Sequence, residues 1–119
     1  MRDHSILISD IEAAIGRIET YIGAAGRDEF LGDEKTQSAV LWELIAIGEA
    51  TKGLPDLVKR DYPDVPWKQM MATRDFLAHG YYRVEGIVVW DIVEKDLPKL
   101  KQQIRKIRAG FSGGGDEAA

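Results

Sequence analysis

An all-α fold is predicted, an up-and-down bundle of four main helices and one short helix. Three observations predict it. Apolar residues recur at alternating steps of three and four through most of the chain, the spacing of one helix face. The strand signal is weak by comparison. Glycines and prolines gather at the ends of the periodic segments, where they stop helices.

The first helix is predicted over about residues 4–25, on the stripe Leu7, Ile11, Ile15, Ile18, Ile22 and Ala25. Gly23 and Gly26 loosen its end, and Arg27 to Gly32 reads as a connector or a short helical turn. Asp33 is a plausible N-cap for a second long helix over about 34–52. Its apolar positions, Val40, Leu41, Leu44, Ile45, Ile47 and Gly48, cover more than half its circumference, so it belongs in the middle of a bundle. Gly53 and Pro55 stop it, and residues 55–61 form a short helix closed by Tyr62-Pro63. Asp64 and Pro66 then open a helix over about 65–79 carrying Trp67, Met70, Met71, Leu77 and Ala78, with Gly80 placed to end it in a left-handed cap. A last helix, about 86–109, repeats Trp90, Val93, Leu97, Leu100, Ile104 and Ile107, with a kink expected at Pro98. Residues 1–109 therefore read as one domain and 110–119, which contains Gly-Gly-Gly, as a disordered tail.

Bulk properties bound the function. A chain of 119 residues holds a modest core, and its wide apolar stripes exceed what one small bundle can bury, so a homodimer is expected. The absence of cysteine excludes a disulfide scaffold and thiol chemistry. No apolar run approaches the roughly 18 residues of a membrane helix, and the start MRDHSILISDIE lacks the features of a signal peptide. A cytoplasmic protein without membrane attachment is the expectation. Net charge is −4, which argues against a general nucleic-acid binder. The acid-free group Lys99, Lys101, Arg105, Lys106 and Arg108 runs the other way: it reads either as a phosphate-tracking surface or as a solvated face near a helix C-terminus.

The segment Arg74-Asp75-Phe76-Leu77-Ala78-His79-Gly80-Tyr81 concentrates the chemistry. A permanent cation can hold a phosphate while an imidazole moves protons near neutral pH. Arg74 falls on the apolar stripe of its own helix, so it must be paired, snorkel or face a cleft. Five residues separate it from His79, about 140° on a regular helix. The two converge only if the helix unwinds near Ala78 or if two copies of the helix meet, and a composite site at a symmetric interface fits the spacing best. A metal site is not expected: His4 and His79 lie far apart in sequence, and Glu43 and Glu49 are six apart on one helix. No cofactor is expected either.

The motif resembles the R-x-x-x-x-H-x-Y signature of the HEPN superfamily, in particular its HepT-like toxins. The flanking segments D-I-E-A-A-I-G-R-I-E, I-G-E-A-T-K, Y-P-D-V-P-W and V-W-D-I-V-E-K-D-L-P-K-L resemble the same family, so the similarity extends over residues 2–108. The resemblance implies a dimeric helical bundle with the motif in a cleft between protomers, and a metal-independent endoribonuclease acting as the toxin of a HepT/MntA-type toxin–antitoxin pair. It also implies a partner, an MntA-like nucleotidyltransferase antitoxin, that transfers AMP from ATP onto the motif tyrosine, here Tyr81.

RNA can be cut without a metal through its own 2′-hydroxyl, given a base, an acid and positive charge for the phosphorane. On this reading His79 is the base, or one of two histidines sharing the acid and base roles. Arg74 is the phosphate clamp, and Asp75 orients a side chain or is a plain solvent-exposed acid. The other reading of the same fold is a catalytically silent HEPN dimer that binds and regulates a partner nucleotidyltransferase.

Overall fold

The computed structural model describes residues 4–80 and 83–118, with side chains through Phe111. It is all-α among these residues, with α1 (His4–Ile22), α2 (Arg27–Leu31), α3 (Glu34–Gly53), α4 (Asp56–Asp61), α5 (Trp67–Gly80), α6 (Gly86–Lys95) and α7 (Leu97–Ala118). The bundle is as expected, but it is divided more finely, since the connector after α1 is helical and the last long helix is two.

Helix α3 is the central element, packed on α1 and on α5, while α7 closes over α1. Its start is fixed by Asp33, whose carboxylate accepts from the Thr36 amide at 3.1 Å and the Thr36 hydroxyl at 2.6 Å. These bonds hold the Asp33 carboxyl below the usual carboxylate range, the Thr36 hydroxyl being the largest cause. Helix α3 then buries Val40, Leu41, Leu44, Ile45, Ile47, Gly48, Ala50 and Thr51, and the one polar group among them is satisfied: Thr51 Oγ1 donates to the Ile47 carbonyl at 2.8 Å. Helix α1 presents Leu7, Ile8, Ile11, Ala14, Ile15 and Ile18 to this core and stops at Gly23, whose φ of 56° is open to glycine at little cost. It therefore ends before the expected Ala25.

The Y-P-D-V-P-W segment has a structural use. Trp67 is buried, and its indole N–H donates to the carbonyls of Tyr62 at 2.9 Å and Lys59 at 3.1 Å. This fixes the chain between α4 and α5 and so the direction in which α5 leaves. Two expectations change along the rest of the chain. Gly80 does not adopt a left-handed cap: it is the last residue of α5 and has no positive φ. Pro98 does not kink a continuous helix. The chain breaks at Asp96, and Pro98 falls in the first turn of α7, where an absent N–H leaves no helical bond unmade.

Near the end of the described side chains, Phe111 of α7 packs against the core and edge-on against the His4 ring, with ring centroids 5.1 Å apart. On α6 (GIVVWDIVEK) only Val89 is fully buried, leaving Ile87, Val88 and Ile92 half-buried. No helix of the described residues is long and apolar enough to cross a membrane.

Candidate active site

The position of Arg74 is set by a glycine on the neighbouring helix. A Cβ built on Gly48 would fall on the Arg74 Cβ, 2.8 Å from Arg74 Cγ and 3.0 Å from the Met70 carbonyl oxygen. Only glycine lets α5 approach α3 this closely, and the approach presses the stem of Arg74 against α3. Arg74 is thus half-buried, with a side-chain exposure of 31%.

Its guanidinium reaches two carboxylates. Nε makes an ion pair with Glu49 of α3, although its N–H lacks the alignment of a hydrogen bond, and Nη1 donates to Asp75 Oδ1 at 3.0 Å. The same Asp75 oxygen accepts from Lys52 Nζ of α3. The Asp75 carboxyl is held below the usual carboxylate range, first by Lys52 and then by Arg74. Two cations from different helices therefore converge on one oxygen, with Glu49 closing the other side.

His79 lies outside this cluster. It is exposed, and its side chain makes no hydrogen bond or ion pair among the described residues. Helix α5 stays regular through Gly80, so the approximately 140° between Arg74 and His79 is not removed by unwinding. Asp75 and Phe76 are one turn before His79 on the outward side, and Phe76 is 60% exposed. Within one protomer, then, Arg74 and Asp75 come together and His79 stands apart. Tyr81, the expected modification site, lies outside the described residues, as does its neighbour Tyr82.

Other sequence candidates separate cleanly. His4 packs on Phe111, away from the motif. Glu43 pairs with Arg17 at 3.0 Å and accepts from the Tyr21 hydroxyl, whereas Glu49 pairs with Arg74. Among the described residues no three His, Asp or Glu side chains cluster as a metal ion requires. Three of the five cations of the α7 group meet acids of α1: Lys101 pairs with Glu19 at 2.8 Å, and Arg108 and Arg105 reach Glu12 at 2.8 Å and 3.9 Å. That pairing favours a solvated helix face for these three. A cleft of about 260 Å³ between α3, α5 and the α6–α7 junction is lined by Met70 and Thr73, one residue short of Arg74.

Residues 11–107, the motif and both helices that frame it, match the family model described as ribonuclease HepT-like. The chain belongs to the HepT-like family. A protein named "Probable ribonuclease HepT" from Thermococcus cleftensis is 41% identical over 107 residues, 90% of this chain and 97% of that one. A "Putative RNase" from Methanocaldococcus jannaschii is 44% identical over 86 residues, 72% of this chain and 71% of that one. A longer protein of the same organism, named "Gamma-glutamylcyclotransferase and putative RNase", is 37% identical over 106 residues, covering 89% of this chain and 48% of its own length. No solved structure matches the chain significantly.

Of the residues around Arg74, Lys52 was not singled out by sequence reasoning, and Glu49 was weighed only as a metal ligand. Glu49 and Lys52 sit in I-G-E-A-T-K, where the helical period marks only their neighbours as core. The available signal was Gly48 inside an otherwise strong helix, a position that costs about 1 kcal/mol relative to alanine and so marks a close approach of another chain segment.

Proposed function

We propose that this HepT-like protein is a metal-independent endoribonuclease, the toxin of a toxin–antitoxin pair, working as a homodimer in which Arg74 of one protomer serves with His79 of the other. The observation that carries the reading is the split site. A half-buried arginine is held at one side of α5, and an exposed histidine stands about 140° away on the same regular helix. One copy does not aim both at one phosphate; a two-fold axis beside α5 supplies the missing half. Phe76, exposed one turn before His79, supports a covered outward face.

In the reaction, His79 takes the proton of the ribose 2′-hydroxyl as its oxygen attacks phosphorus. The bond from phosphorus to the 5′-oxygen breaks, and that oxygen takes a proton from a water molecule, whose hydroxide is neutralised by the proton held on His79. The products are a 2′,3′-cyclic phosphate and a 5′-hydroxyl. Arg74 stabilises the phosphorane because its charge is permanent and its fork matches phosphate oxygens. Before RNA binds, Asp75 holds Arg74 in place through the bond at 3.0 Å.

The proposed control is AMP transfer to Tyr81 by an MntA-like nucleotidyltransferase antitoxin. A phosphodiester two residues beyond His79 would add negative charge and bulk beside the groove and repel RNA. Intact-mass measurement after incubation with that partner and ATP tests it: one AMP is expected on wild type and none on Tyr81→Phe.

The activity is tested by inducing the chain alone in cells and examining growth and RNA. Arrest with RNA cleavage is expected for wild type, and neither for Arg74→Ala or His79→Ala. A folded dimer that leaves growth and RNA intact would favour the catalytically silent, partner-binding reading.

A further inference from the structure

We infer that Lys52 is a second substrate-phosphate contact, paired with Arg74 on the scissile group of a single-stranded RNA. The inference rests on the ribonuclease reading above and adds a residue to its site. Lys52 Nζ and Arg74 Nη1 both donate to Asp75 Oδ1, so two cations from different helices are already aimed at one anionic oxygen. That oxygen stands in for a non-bridging phosphate oxygen, which has the same charge and the same capacity to accept two charge-assisted bonds.

The chemistry calls for two cations there. A phosphodiester carries one negative charge, and attack by the deprotonated 2′-oxygen raises the phosphorane to two. Arg74 alone matches the ground state; a second cation is gained in value as charge develops. The path to the phosphate is open, because the Lys52 and Asp75 side chains are 36% and 57% exposed. The lysine stem is flexible, so Nζ follows the anion when Asp75 turns aside. Lys101, Arg105 and Arg108 of α7 show no such convergence of two cations from different helices on one oxygen.

The rival role for Lys52 is to hold Asp75 in place, and Lys52→Gln separates the two. Its amide can still donate to Asp75 but carries no charge. Cleavage of a single-stranded RNA by the full chain is followed across a salt series for wild type, Lys52→Gln, Lys52→Ala and Lys52→Arg, with dimer state and thermal unfolding checked for each. The expected result is a kcat/KM at least about tenfold lower for Lys52→Gln and Lys52→Ala. The slope of log kcat/KM against log salt becomes shallower by about 0.7, one phosphate contact on a single strand. Lys52→Arg keeps the wild-type slope. An active wild type with an unchanged slope in Lys52→Gln overturns the inference and leaves the ribonuclease reading standing. A folded wild type that cleaves no RNA overturns both.

Discussion

Two charged regions of this molecule look alike in composition and differ in arrangement. Between α1 and α7, the acids Glu12 and Glu19 meet Lys101, Arg105 and Arg108 in pairs strung along two helices. Between α3 and α5, Lys52, Arg74, Asp75 and Glu49 share one centre, with two donors on a single carboxylate oxygen. The first region was the denser cationic cluster in sequence, and in space it is spent on exposed ion pairs. The second is scattered over 27 positions of sequence and is brought together by one glycine contact. On the proposed reading, convergence and not local density of charge separates a phosphate site from a solvated helix face.

The sharpest way to break the comparison is to remove cations from each region in turn. Arg74→Ala or His79→Ala is expected to lower RNA cleavage by at least about 100-fold in initial-rate assays. Arg105→Ala or Arg108→Ala, on the paired face, should change it by less than about twofold. Equal losses in the two regions would remove the distinction.

Next in size is Gly48→Ala. Alanine gains about 1 kcal/mol of helix propensity over glycine. Overpacking against Arg74 Cγ and the Met70 carbonyl costs about 1–3 kcal/mol or more, and with contacts at 2.8 and 3.0 Å the clash is expected to win. Thermal unfolding should show a lower Tm, and cleavage should fall with it because Arg74 is displaced. A raised Tm would mean that α5 does not approach α3 as described.

A smaller effect is expected from pH. The Asp75 carboxyl is depressed below its unfolded value by Lys52 and Arg74, so its contribution is fully present above the ordinary aspartate range near pH 4 and is lost as pH falls through the lower folded value. The Tm difference between wild type and Asp75→Asn should therefore be constant from neutral pH down to about 5 and shrink in stronger acid. A difference that grows on acidification would contradict the pairing. The smallest effect belongs to the paired face: Lys101→Ala should change stability by less than about 1 kcal/mol in denaturant unfolding, as exposed ion pairs usually do.

Much of this was legible in the sequence. The apolar stripe of α1, the Asp33 cap and the wide apolar surface of α3 follow from helical periodicity and capping chemistry, which are local. The break at Asp96 was harder to read, because the stripe from Trp90 to Ile107 keeps its phase across Pro98 and the eye joins the two helices. The packing of Phe111 on His4 is a contact over 107 positions of sequence that no local rule contains. At the site, the separation of Arg74 from His79 was predictable from helix geometry alone. The roles of Glu49 and Lys52 were not, because their partners lie on another helix.

The central claim is that Arg74 and His79 act together from different protomers, and mixed dimers test it most directly. Arg74→Ala and His79→Ala proteins, each inactive alone, are co-folded to exchange subunits, and RNA cleavage is measured. Half of the dimers are then mixed, and each mixed dimer carries one site with both residues intact and one with neither, so activity should return to about a quarter of the wild-type value. No recovery, from a mixture shown to contain the mixed dimer, would contradict a site shared between protomers.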